Sequence, residues 1–507
     1  AGGNAVDAAV AMSFAICLLE PHASGLGGGG FMIIHLEESN RDVVIDFRET
    51  APSSANYAFY EKFLKNEGRD LRPEFATGGE GVAIPGEVAG LIMALEAYGT
   101  FDRPQIIQPS LDLDKQGVIV TSSFAGLLKK HAYRLKEFEA SRNTWLKPDS
   151  SLYRQGELFR NPDFIRTLQL IAKQGVDGFY KGELAEAIVQ ASAETGGIIS
   201  IEDLNNYTPV FRQPVRGSYR GLEVLTIPPA GSGISLIELL NIIENFDLSE
   251  LGFQAAERWH IWAESMKHIY TDRSKYLGDI DHVFVPVDQL ISKTYAKSLA
   301  EEISLDRVTE EINWGSELRD PAGNTTAIVV ADKFGNMVAL TKSLNWYFGS
   351  AVTVPGFGFV LNNHMRSYNY EKDSANLMKA HRRSISSMTP VLLFKNGSPF
   401  MALSSPGASR IIAATAQVIS NVVDHGFDLT AALKLPRAYN SKTGSFKAEN
   451  RLPDDITEKL TFLGHNVSLN HSEFSTQYGG VQVILIDKNG KITGASDPRR
   501  GGDAAAY

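Results

Sequence analysis

Residues 322 to 345 read AGNTTAIVVADKFGNMVALTKSLN. Two apolar runs, TAIVVA and MVALTKSL, flank DKFGN, whose Asp, Gly and Asn favour a turn. The segment therefore reads as a β-hairpin. Folded about Phe334, residues equidistant from it pair, and position 325 faces position 343. The hydroxyl of Thr325 is then expected opposite that of Ser343 at a strand start, with Asn345 just beyond. A slip of one residue would turn the pair to the other face.

Downstream, SSPGAS at 404 to 409 places a turn before a helix expected over 408 to 424. Leading N–H groups of a helix lack internal partners and carry the positive end of its dipole. Gly407 and Ala408, with little side chain, let an oxygen reach such groups, which suits oxyanion stabilisation. SISSM, residues 384 to 388, adds further hydroxyls. Taken singly these features have ordinary readings as a strand-edge threonine, a surface serine and a helix cap.

The rest of the chain supplies a frame. A helix is expected over 4 to 19, with Asn4 as N-cap and Pro21 as stop. FMIIHL and VVIDF follow as a strand pair. From about 80 to 320, LQLIAKQGV, LAEAIVQASAETGG and LIELLNIIENF carry helical periodicity. After 325 the runs FGFVLN, PVLLF, FMALSS, VQVILI and KITGAS read as strands, with a helix near 454 to 463. Helices concentrate in the first two-thirds and strands in the last third, an α+β layered architecture.

Composition narrows the classes. The 507 residues, 43% hydrophobic, exceed one small domain, and a net charge of −10 argues against nucleic acid or an anionic membrane as partner. No apolar stretch reaches 18 residues, so no membrane-spanning helix is expected. The chain opens at the approach to a helix, which leaves room for an upstream segment and leaves the compartment open. The single cysteine, Cys17, lies in the apolar run AVAMSFAICLL with no charged neighbour in sequence, and reads as a buried, inert thiol. Gly25, Gly27 and Gly30 spell G-x-G-x-x-G, but between a helix and a strand, the reverse of a dinucleotide site. The histidines show no H-E-x-x-H spacing, so neither a metal nor another cofactor is expected. The N-x-S/T sequons, including Asn324-Thr325-Thr326, read as coincidental.

The segments GGNAVDAAVA, EPHASGLGGGGFM, DFRETAP, GEGVAIPGEVAGL, FYKG, GGIISIEDLNNY, PPAGSGIS, NTTAIVVADKFGNMVALT, SLN, FVLNN, SSM, SSPGASRI and ASDPR stand in the order found in γ-glutamyltranspeptidases. Over essentially its whole length the chain resembles that family. The resemblance implies a four-layer αββα sandwich of the N-terminal-nucleophile hydrolase type. It implies self-cleavage between Asn324 and Thr325 into a large segment, 1–324, and a small one, 325–507, that stay together as a heterodimer. Thr325 would then be the nucleophile, activated by its own new α-amine. By the same likeness, Ser343 bonds the nucleophile or its amine, Thr341 lies near it, and Gly407 and Ala408 form the oxyanion hole. Arg48, Ser386 and Ser387 hold a substrate carboxylate, and Asn345 contacts substrate. After FVLNN the family has Gln-Met-Asp-Asp, where this chain has His364, Met365, Arg366 and Ser367. Ser367 cannot supply the charge that holds a free ammonium, and Arg366 would repel one.

The implied function is γ-glutamyl transfer or hydrolysis on a small-molecule or peptide substrate, with water or an amino acid as acceptor. Two alternatives stand beside it. One is an acylase or poly-γ-glutamate-type depolymerase with the same nucleophile, and the other an unprocessed, non-enzymatic homologue. Family members are often periplasmic or secreted.

Overall fold

The computed structural model describes residues 2–56, 58–59, 77–309, 324–440, 445–470 and 472–506. Eleven strands build its two main sheets. These are β1 (Gly29–Leu36), β2 (Arg41–Phe47), β3 (Val210–Arg212), β4 (Val215–Tyr219), β5 (Leu222–Thr226), β6 (Asn324–Ala331), β7 (Met337–Asn345), β8 (Val391–Lys395), β9 (Ser398–Ser404), β10 (Gln482–Ile486) and β11 (Ile492–Ser496). One sheet runs β3-β2-β1-β7-β6 and the other β11-β10-β9-β8-β5-β4. They pack face to face around Phe31, Ile33, Val44, Leu225, Met337, Ala339, Leu392 and Ala402.

Helices cover both outer faces. On the first sheet lie α1 (Ala5–Leu19) and α2 (Glu87–Tyr98), with α3 (Arg103–Gln116) packed on α1 and α4 (Pro162–Gln174) on α3 in the same apolar cluster. On the second lie α5 (Gly233–Ile243), α6 (Ala256–Tyr276) and α7 (Arg410–Val423). The result is a four-layer αββα sandwich. Asn4 caps α1 as the sequence predicts, accepting from the Val6 and Asp7 amides, while Asp7 accepts from the Asn4 amide at 2.8 Å.

Both sheets mix strands from before and after residue 325. In particular β1 hydrogen-bonds along β7, from Gly29 opposite Ser343 to His35 opposite Met337. This close pairing explains the glycine run. A β-carbon on Gly28 would lie 2.3 Å from the Ser343 carbonyl oxygen, and one on Gly30 2.1 Å from that of Thr341. The glycines serve a backbone contact rather than a phosphate.

Two expectations change. FGFVLN forms no ladder strand. Gly356 and Gly358, both at positive φ, fold the chain back, leaving isolated bridges from Val360 to Thr353 and Leu361 to Gly27. Cys17 also has charged neighbours, brought from distant elements. Its thiol lies 3.1 Å from Glu87 Oε1 on α2 and 3.2 Å from Lys342 Nζ on β7. Burial, with the Glu87 carboxylate next in weight, pushes that thiol up, so it stays protonated and inert.

Lys342 is fully buried against an equally buried Glu87, Nζ to Oε1 2.5 Å, and also donates to the Ser13 carbonyl at 2.7 Å. Removing one member of such a pair strands the other charge in the core. Glu87→Gln is expected to lower unfolding free energy by about 3–5 kcal/mol, and Glu87→Leu with Lys342→Met to recover most of it. Urea titration of the three proteins measures this, and equal losses in the single and double variants would contradict it.

Candidate active site

The register from Thr326 opposite Lys342 to Ala331 opposite Met337 is the one that folding about Phe334 predicts. Odd-numbered residues of β7 face the second sheet, as Met337 and Ala339 do, while Val338 and Leu340 face the helices. The ladder is interrupted at one place. Asn324 pairs with Asn345, so a bulge falls between Asn324 and Thr326 and leaves Thr325 without a ladder partner. A bulge bends its strand and re-aims the extra residue. The extra residue lies on β7, where Ser343 and Leu344 together face the single residue Thr325, which sits on the edge strand of its sheet and is buried to 6% exposure.

Ser343 lies across from it. Its hydroxyl accepts the Asn345 amide at 2.8 Å and donates its proton to the carbonyl oxygen of Asn324. A hydroxyl has one proton, so the amide contact orients it toward that carbonyl. The peptide bond preceding Thr325 is thereby polarised. Asn345 holds positive φ and donates through Nδ2 to the Asn363 carbonyl, 3.0 Å, and to Ser367 Oγ, 3.4 Å. Thr341 reaches the second sheet. Its Oγ1 lies 2.7 Å from Ser404 Oγ, which donates to the Leu340 carbonyl, so Thr341 is the donor.

Ser404 leads into the PGAS turn. The helix after it, α7, begins at Arg410 rather than 408, because Gly407 (φ 139°) and Ala408 (φ 54°) are not helical. Their amides have no hydrogen-bond partner among the described residues, while their carbonyls accept from Arg410 and Ile411. Gly407 packs on Gly479, 2.8 Å from the position of a β-carbon. The turn therefore offers two successive amides held between packed backbone and a helix start.

Arg48 is buried and its donors meet protein acceptors. Nε donates to the Ser384 carbonyl (3.2 Å), Nη1 to Glu49 Oε2 (3.2 Å) and His364 Nε2 (2.8 Å), and Nη2 to Ser384 Oγ (3.1 Å) and the Ile385 carbonyl (3.5 Å). Within the protein, Arg48 thus grips the segment that carries Ser386 and Ser387. Ser386 accepts the Met388 amide at 3.2 Å. Ser387 Oγ accepts from Arg273 Nη2 at 3.1 Å, and Arg273 Nε donates to Ser232 Oγ at 2.9 Å. Ser232 in turn donates to the Ser386 carbonyl at 2.6 Å.

Sequence reasoning missed Arg273 and the Glu49–His364 contact. Arg273 sits near the end of a long helix with no local motif, and Glu49 and His364 meet only in three dimensions. Arg366 stacks its guanidinium 3.7 Å above the Trp346 ring, next in sequence to Asn345, and Ser367 is half-buried.

One cluster has ligand types that the histidine spacing did not suggest. His260, Glu264 and His465 converge within 4.8 Å. Lys267 Nζ lies 2.7 Å from Glu264 Oε1, and His260 Nδ1 meets His465 Nε2 at 2.7 Å. The lysine already supplies the positive charge a metal would bring.

A family model described as Gamma-glutamyltranspeptidase matches residues 1–507. The chain is 36% identical over 520 residues to the glutathione hydrolase proenzyme of Escherichia coli (strain K12), covering 100% of this chain and 88% of that protein. It is 34% identical over 511 residues to the Acylase ACY 1 proenzyme of Pseudomonas sp. (strain SE83), covering 100% and 90%. A crystal structure of cephalosporin acylase from Bacillus halodurans aligns with TM-score 0.91 at 29% identity, over 100% of this chain and 92% of that one. No helix among the described residues is long and apolar enough to cross a membrane.

The His364 ring carries a pH signature. Nε2 accepts from Arg48, so its proton sits on Nδ1, 2.8 Å from Glu49 Oε1. Burial, and after it the Arg48 charge, depress its pKa to about 4. Unfolded, the ring titrates near 6.5. The unfolded chain then binds the extra proton first, and stability falls as pH drops from about 6.5 to 4, by roughly 3 kcal/mol at most. His364→Gln should flatten that part of the urea-midpoint profile. An unchanged slope would place the charge cost elsewhere.

Proposed function

The chain belongs to the γ-glutamyltranspeptidase family and is an enzyme of that type, and we propose that Thr325 is both its self-cleavage point and its nucleophile. One observation carries this reading: the bulge sets Thr325 off the ladder while Ser343 polarises the carbonyl just before it. In self-cleavage, Thr325 Oγ1 bonds to the Asn324 carbonyl carbon and the C–N bond breaks. The hydroxyl proton ends on the new amine. Water then hydrolyses the ester, giving an Asn324 carboxylate and a free threonine. Residues 1–324 and 325–507 remain joined through both mixed sheets as a heterodimer.

The freed α-amine titrates near neutrality, so a fraction is unprotonated and can take the hydroxyl proton during attack on an amide. The donor's acyl group becomes an ester on Thr325, and its amine leaves with that proton. The Gly407 and Ala408 amides suit the oxyanion, since preorganised donors stabilise charge without reorganisation. Water or an amino acid or peptide amine completes hydrolysis or transfer of a γ-glutamyl group. Ser386 and Ser387, braced by Arg48 and Arg273, suit a carboxylate of the acyl group, and Asn345 with Ser367 lines the same region.

A second reading is favoured by Arg366 and Ser367. Neither residue supplies a carboxylate to hold an ammonium, and the Arg366 charge repels one. The acyl group then lacks a free ammonium, as in a dicarboxylic monoacyl amide or an internal γ-linked glutamate. Comparison of γ-glutamyl-p-nitroanilide with glutaryl-p-nitroanilide separates the two. Higher kcat/KM on the glutaryl compound, reversed by Arg366→Asp with Ser367→Asp, is the outcome for the second reading. Preference for the γ-glutamyl compound returns the first.

Ser343→Ala should slow appearance of the two fragments about 100-fold, as loss of one preorganised donor does. Timed denaturing electrophoresis checks this, and cutting at the unaltered rate would remove Ser343 from the mechanism.

A further inference from the structure

The residue before the cut is held by its side chain as well as its carbonyl. Asn324 is buried, and its Oδ1 accepts from Arg500 Nη1 at 3.4 Å, the one side-chain hydrogen bond Asn324 makes among the described residues. Arg500 itself is pinned. A β-carbon on Gly480 would lie 2.6 Å from Arg500 Cγ and 3.0 Å from its Cδ, so the stem lies flat on the Gly479–Gly480 turn. The Gly480 amide donates to Ser405 Oγ at 3.3 Å, and Gly479 packs on Gly407. Arg500 thus spans from the turn that backs the oxyanion amides to the residue whose carbonyl must be attacked.

We infer that Arg500 is a positioning residue for self-cleavage, acting through the Asn324 side chain. The inference rests on the proposed cut at Asn324–Thr325. Asn324 keeps its pairing with Asn345, but the register shifts immediately after it, so the ladder does not run on through Thr325. The Arg500 contact adds a side-chain tether that keeps the Asn324 carbonyl against Ser343 and within reach of Thr325 Oγ1. A fixed approach geometry accelerates such a step because the attack needs no further ordering. Arg500 also faces Glu20 and His22, whose titration its charge influences. Glu20 Oε2 accepts from Thr326 Oγ1 at 3.2 Å, so an indirect route through Glu20 is the competing path.

A double-mutant cycle distinguishes the routes. The full chain, Arg500→Ala, Asn324→Ala and the double variant are expressed, and growth of the fragment beginning at Thr325 is timed by intact mass. Arg500→Ala in the otherwise native chain should slow cutting about tenfold, the size of one charge-assisted hydrogen bond. In the Asn324→Ala background the same change should have no effect, and Arg500→Lys should restore part of the rate. An equal slowing in both backgrounds, or none in the native one, overturns the inference. Failure of the native chain to yield a fragment beginning at Thr325 overturns the cleavage reading itself, and the inference with it.

Discussion

Antiparallel pairing of β6 with β7, in the register that sets Thr326 opposite Lys342, governs the site. Side chains alternate along a strand, so this register sends Thr341 and Ser343 into the space between the sheets and Lys342 toward the helices. One residue of slip would bury the two hydroxyls in helical packing and thrust the lysine into the site. The bulge is a departure of a single residue, and it leaves Thr325 free of the ladder. β1 then locks β7 from the other side, and its glycines are what permit the close approach.

Charge is distributed around this hairpin with a consistent logic. On the helical side, Lys342 is neutralised by Glu87, so a buried cation stands next to Ser343 in sequence with its charge paired. On the site side, Arg48, Arg273 and Arg366 surround the serine segment and the Ser367 region, with Glu49 as the carboxylate in direct contact with Arg48. That setting is the physical basis of the proposed preference for an acyl group without a free ammonium. The depressed pKa of His364, about 4, fits the same picture: the ring stays neutral and accepts from Arg48 instead of adding another cation.

Much of this was legible in the sequence because the informative interactions are local. The DKFGN turn set the hairpin register, the Asn4 cap set α1, and alternating apolar runs set most strands of the last third. The order of motifs then supplied the αββα sandwich and pointed to Thr325 as the proposed nucleophile. What stayed hidden depends on groups distant in sequence. The charged neighbours of Cys17 come from α2 and β7, and Arg273 reaches Ser387 from a helix more than a hundred positions away. FGFVLN looked like a strand by composition, yet two positive-φ glycines broke its path. The α7 start was misplaced because Gly407 and Ala408 leave the helical region, which also frees their amides. The engagement of Arg48 by Glu49, His364 and Ser384 is likewise tertiary.

The central claim is that the residue freed by cutting is the residue that reacts. Intact mass spectrometry of denatured wild-type protein and Thr325→Ala, prepared side by side, tests it most directly. The account predicts two wild-type fragments meeting at Asn324 and Thr325, the later one gaining an acyl group when the protein is quenched during turnover, and a single uncut mass for the variant. Fragments from the variant, or an acyl group on any other fragment, would contradict it.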